Sequence, residues 1–167
     1  SVKLELIEKL KKELPSFEDA MAEALVISVL EQCKLLEEYN FNNIKVSLKS
    51  SSVPITVKAY QKFAQISDYP LHIGITEAGT LKKGIIKSSV GIGALLLQGL
   101  GDTLRVSLSS HPIEEVKTAK AILQSCNLRS DSVELVSCPT RGRTQIDLIK
   151  LATEVEDFLE KQKKKKI

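Results

Sequence analysis

A chain of 167 residues that is 43% hydrophobic, 27% charged and 4% aromatic, with no tryptophan, has the composition of one globular domain or a large piece of one, able to bury a real core. That composition excludes intrinsic disorder, a collagen repeat and a disulfide scaffold. The net charge is +3, but five of the 24 Lys and Arg residues lie in 161–167; the remaining 19 against 21 acidic residues leave the body at about −2, so the basic excess is a solvated helix end rather than a nucleic-acid stripe.

The N-terminus carries charge at alternate positions and no apolar signal core, and it starts without methionine, as a cut piece would. Residues 3–14 read as a helix stopped by Pro15. Ser16 with Asp19 forms a capping box, and Met21, Leu25, Ser28, Val29, Gln32 and Leu36 follow at helical spacing. Residues 43–49 read as a strand, followed by a helix with Pro54 in its first turn. The unit then repeats: a strand at 71–76, a helix at 88–98 closed by Gly99 and Gly101, a strand at 103–108, and a helix opened by Pro112, Glu114 and Glu115. The longest uncharged stretch, 88–101, is interrupted by four glycines and is shorter than the roughly 20 residues of a membrane span. A last strand is expected at 133–137, and Thr144 with Asp147 caps a helix that reaches the lysine tail. Cys33, Cys126 and Cys138, an odd number at distant spacings, point to a reducing compartment.

Strands alternating with helices predict an α/β protein with parallel strands, either a small doubly wound sheet or part of a larger barrel. The side-chain alternation favours the barrel. Ile44, Val46 and Leu48 oppose Lys45, Ser47 and Lys49; Leu71, Ile73 and Ile75 oppose His72, Gly74 and Thr76; Leu104, Val106 and Leu108 oppose Arg105, Ser107 and Ser109. Strands sandwiched between two helix layers would be apolar throughout. A polar face here must look at something wet or charged, which is either the ligand-binding mouth of a β/α barrel or an exposed edge strand.

Lys49, Glu77, Arg105 and Ser107 all fall at strand ends. Two cations and a hydroxyl suit phosphate or diphosphate oxygens, with Glu77 left to bind a substrate hydroxyl or handle a proton. Singly, each reads equally as a surface residue; it is their recurrence at three consecutive strand ends that marks a site. The glycines at 91 and 93 fit neither a phosphate loop nor a dinucleotide fingerprint and read as close helix packing. His72 and His111 are too few for a histidine zinc site or a catalytic triad. Cys138, in the run Cys138-Pro-Thr-Arg141-Gly-Arg143, is placed like a metal ligand; by spacing alone it reads as a partly buried free cysteine, since one thiolate cannot hold a cluster.

The runs 69–79, 84–88, 99–108, 112–117 and 137–140 strongly resemble the GcpE/IspG family, the hydroxymethylbutenyl diphosphate synthases. The resemblance covers nearly the whole chain. It implies the C-terminal half of a TIM (β/α)8 barrel at 1–128, and the first strand and helix of an iron–sulfur domain at 129–167. The activity implied is reductive ring opening and dehydroxylation of 2-C-methyl-D-erythritol 2,4-cyclodiphosphate to 4-hydroxy-3-methylbut-2-enyl diphosphate, in isoprenoid biosynthesis. A [4Fe–4S] cluster is the implied cofactor, flavodoxin or ferredoxin the electron donor, and a homodimer the assembly, with no nucleic acid or membrane partner. The compartment would be the bacterial cytoplasm or the plastid stroma. Lys49, Arg105 and Ser107 match the substrate-anchoring residues, Glu77 the acidic residue near the reacting oxygens, and Cys138 the first cluster cysteine. Arg141 stands where the family has its second cluster cysteine, and no cysteine follows Cys138. These departures leave an alternative, a non-catalytic phosphate-binding or interaction module that has lost its cluster.

Overall fold

A computed structural model describes residues 2–130, 135 and 146–163. The strand expected at 133–137, together with Cys138, Arg141 and Thr144, lies outside the described residues. The chain divides into two compact units, Ser1–Cys126 and Asn127–Ile167.

The first unit opens with α1 (Leu4–Glu13), whose Leu10 packs with Ala20 and Ala24 of α2 (Phe17–Glu38) in a small cluster of its own. Ser16 caps α2: its Oγ accepts from the Asp19 N–H at 3.1 Å and donates to the Asp19 carboxylate at 2.5 Å. Asp19 therefore bonds the cap hydroxyl and not, as a full capping box would, the cap backbone. Ser52 caps α3 (Val53–Ala64), with Pro54 in the first turn, where a missing N–H costs nothing. Lys58 and Lys62 of α3 reach Asp19 and Glu23 of α2 at 2.7 and 2.8 Å, aligning the two helices. Both α2 and α5 (Pro112–Ser125) end at an asparagine in the left-handed region, Asn40 (φ 57) and Asn127 (φ 56).

The strands are parallel, as expected, but far shorter. β1 (His72–Ile73) pairs with β2 (Thr103–Leu104) in the register His72↔Thr103 and Ile73↔Leu104, and the segment at 43–49 contributes the single parallel bridge Val46↔Leu71. Two features interrupt the ladders. After the His72 N–H bonds the Val46 carbonyl, the next bond would run from the Leu48 N–H to the His72 carbonyl. The Tyr60 hydroxyl of α3 instead takes the Leu48 N–H at 3.0 Å and donates to the His72 carbonyl at 2.6 Å, wedging the strands apart. Ladder bonding resumes where the Thr76 N–H reaches the Ser50 carbonyl. On the other side, Ile73 to Thr80 takes seven residue steps while their partners Leu104 to Ser109 take five. The excess is absorbed in the turn at Thr76 and Glu77, where Glu77 takes φ 51.

The apolar strand face, with Ile44, Val46, Leu48, Leu71, Ile73, Val106 and Leu108, forms one core with residues of α2, α3, α4 (Leu81–Leu96) and α5. Helices α2, α3, α4 and α5 pack in sequence, each on the next, across that face. A single helix layer on a parallel sheet is the wall of a barrel and not a doubly wound sandwich. The helix expected at 88–98 begins at Leu81, seven residues early, because Gly84 extends the contact surface. A Cβ at Gly84 would meet Leu108 Cδ2 at 2.5 Å, and one at Gly91 would meet Ile75 Cδ1 at 2.5 Å. The pair that lets this helix approach the sheet is thus Gly84 and Gly91; Gly93 has only Cys126 Sγ, at 4.0 Å.

In the second unit, α6 (Leu148–Lys163) is capped by Asp147, whose Oδ1 accepts from the Lys150 N–H at 3.0 Å. Of the expected Thr144–Asp147 cap, Asp147 is seen in place, while Thr144 lies outside the described residues. Among the described residues no helix is long and apolar enough to cross a membrane.

A cationic face at the strand ends

The polar strand face lies opposite the helix layer, and the register aligns its residues in rows. Ser47, His72 and Thr103 form one: the Ser47 hydroxyl donates to the His72 carbonyl at 3.2 Å, and His72 Nδ1 lies 2.8 Å from Thr103 Oγ1. The next row toward the strand ends is Lys49, Gly74 and Arg105. A Cβ at Gly74 would come within 2.4 Å of the Arg105 carbonyl oxygen and 3.3 Å of Lys49 Cε. Glycine is needed there because a neighbouring backbone and a lysine side chain occupy the space a methyl group would take.

Of the four residues expected to converge, Lys49 and Arg105 are brought together. Burial, and then the charges of Arg105 and Lys45, hold the Lys49 ammonium below its ordinary value. Burial, and then Lys49, Lys45 and Arg105, likewise hold the His72 imidazole below its own. Lys45, Lys49 and Arg105 thus put three positive charges around a partly buried histidine, a concentration of like charge that an anion would relieve. Ser107 lies two residues beyond Arg105 on the same face and is partly buried, whereas Glu77 sits exposed in the turn after β1. Cys138 lies outside the described residues. The described cysteines are placed for packing: Cys33 is buried in the core, its thiol pushed up by that burial and then by Glu37, and Cys126 packs against the same core.

Lys45 and His72 join the cationic face although no motif marked them. The signal is the alternation itself, which puts Lys45 on the face of Lys49 and His72 on that of Gly74. Tyr60 carried no signal, since a tyrosine at helical spacing reads as core.

Comparison with known proteins gives a consistent result. The family model described as the GcpE TIM-barrel domain matches residues 1–120. A protein of Ruminiclostridium cellulolyticum named 4-hydroxy-3-methylbut-2-en-1-yl diphosphate synthase (flavodoxin) is 51% identical over 154 residues, which cover 92% of this chain and 44% of that protein. A protein of the same name from Fusobacterium nucleatum subsp. nucleatum is 51% identical over 165 residues, 99% of this chain and 45% of its own length. Another, from Caldanaerobacter subterraneus subsp. tengcongensis, is 55% identical over 134 residues, 80% of this chain and 38% of the relative. The chain spans less than half the length of these curated relatives.

Proposed function

The chain belongs to the GcpE TIM-barrel family, and from that premise we propose that it is the diphosphate-binding part of an enzyme that reductively opens 2-C-methyl-D-erythritol 2,4-cyclodiphosphate to 4-hydroxy-3-methylbut-2-enyl diphosphate, taking electrons from flavodoxin. The observation that carries this reading is the Lys49–Gly74–Arg105 row. The Arg105 guanidinium offers a planar fork and the Lys49 ammonium a point charge to the same anion. Bound diphosphate raises the basicity of Lys49, because its negative charge offsets the burial and then the repulsion from Arg105 and Lys45 that hold the ammonium low. Ser107 donates its hydroxyl to a diphosphate oxygen, and Glu77, at the rim, binds a substrate hydroxyl or carries a proton to the departing oxygen. The whole protein works as a homodimer, in the bacterial cytoplasm or the plastid stroma, in this reading.

A [4Fe–4S] cluster supplies reducing electrons in such an enzyme. The described residues do not fit one: they contain no group of three or more His, Cys, Asp or Glu able to hold a metal, and Cys33 and Cys126 are committed to packing. Cys138 is the one residue of this chain assigned as a cluster ligand, so the electron-transfer step is not built from these residues.

Pyrophosphate or cyclodiphosphate binding, measured by calorimetry, tests the site. Replacing Lys49 or Arg105 by alanine removes a charge-assisted contact worth about 1.5–3 kcal/mol, which is roughly a 10- to 150-fold loss of affinity; unchanged binding rejects these roles. Arg141, in the place of a cluster cysteine, favours a second reading, the phosphate-binding module without a cluster. Anaerobic iron–sulfur reconstitution of the full-length protein separates the two: a stoichiometric cluster supports the enzyme, while retained diphosphate binding without iron supports the module.

A further inference from the structure

We infer that His72 is a further member of the anion site, binding the diphosphate through Nε2 as an imidazolium and taking up a proton from solvent as the anion arrives. This rests on the anion-site reading above and adds a residue and a proton to it. Its Nδ1 is engaged by the Thr103 hydroxyl at 2.8 Å, and Nε2 has no partner among the described residues. A hydroxyl both donates and accepts, so Thr103 keeps that contact whether the ring is neutral or charged, and protonation costs His72 no existing bond.

The surroundings set the direction. Facing the ring from the segment at 43–49 are Lys45 and Lys49, and from the β2 side Arg105 and Thr103; Tyr60 of α3 and Ser47 bond its carbonyl. Burial, and then these charged groups, which are all cations, hold the free ring below its ordinary value and so favour its neutral form. A diphosphate among Lys49 and Arg105 reverses the sign of that field. The ring then becomes a third donor-bearing cation beside Lys49 and Arg105, one that the empty site disfavours. Neutral when vacant and charged when occupied, His72 would make binding tighten as pH falls.

The full chain has two histidines, and the other, His111, caps α5 by accepting from the Ile113 N–H, so it serves as an internal control. Imidazole resonances are followed by NMR against pH, with and without pyrophosphate. The His72 midpoint should rise by about one unit or more with pyrophosphate while His111 stays in place. The ratio of wild-type to His72→Gln affinity, which cancels the probe's own titration, should rise about tenfold from about pH 8 to about pH 6. If pyrophosphate perturbs Lys49 and Arg105 but leaves the His72 midpoint unmoved, this inference fails alone. If it perturbs none of the three, the anion site itself is refuted and the inference with it.

Discussion

At the residue scale, Gly74 shows how one absent methyl group shapes a site. Its Cβ position is occupied by the Arg105 carbonyl oxygen at 2.4 Å, a backbone atom with little freedom to yield, and approached by Lys49 Cε at 3.3 Å. Gly74→Ala should therefore cost about 1–3 kcal/mol, as overpacking does, seen as a fall of several degrees in Tm. Because the displaced atom belongs to Arg105, pyrophosphate affinity should fall with it; an alanine variant with wild-type Tm and affinity would show that Lys49 and Arg105 do not meet across this position. Glu77 poses the opposite case. A non-glycine residue at φ 51 holds a conformation that L side chains disfavour, and it persists because the surrounding turn imposes it.

At the element scale, the α2–α3 pair is packed in the shared core and adds to it the Ser16 cap and two cross-helix ion pairs. The cap satisfies an orphan N–H, while the pairs are partly exposed and contribute little each. Ser16→Ala should lower stability by about 1 kcal/mol, with the urea midpoint reduced and the slope unchanged. A shift within error would mean that the fold holds α2 in place without its cap. The elements themselves were largely legible. Proline, glycine and capping signals act within one turn of chain, so the starts of α2, α3 and α5 follow from Ser16, Pro54 and Pro112. The strands are shorter than their alternation predicts because their limits are set from outside the strand, by the Tyr60 hydroxyl between Leu48 and His72 and by the turn at Glu77. Helix α4 starts earlier than its spacing predicts for the same reason: what extends it is the fit of Gly84 against Leu108.

At the scale of the whole molecule, acid sensitivity follows from groups held below their ordinary values. The hydrogen bond from Lys58, then that from Ser16, holds the Asp19 carboxyl low, and burial followed by three cations holds His72 low. In both cases the unfolded chain binds the proton before the native one does. The stability they contribute is complete above the unfolded-state value and is lost as pH falls through the folded one. The urea midpoint should thus decline on acidification below the ordinary histidine value of 6.5, and again below the ordinary aspartate value of 3.8. His72→Gln should remove the upper step alone; its persistence in that variant would assign the step to another group.

The amino-acid sequence by itself determined the α/β alternation, the parallel strands, the polar and apolar strand faces and the family, because these reside in period, spacing and contiguous motifs. Tertiary structure decided which polar residues meet. Register across three strands, together with the room left by Gly74, joins Lys49 to Arg105 and gathers Lys45 and His72 around them. That meeting depends on hydrogen bonds such as Val46 N–H to Pro70 and Arg105 N–H to Ile73, between segments far apart in the chain, which no local pattern encodes.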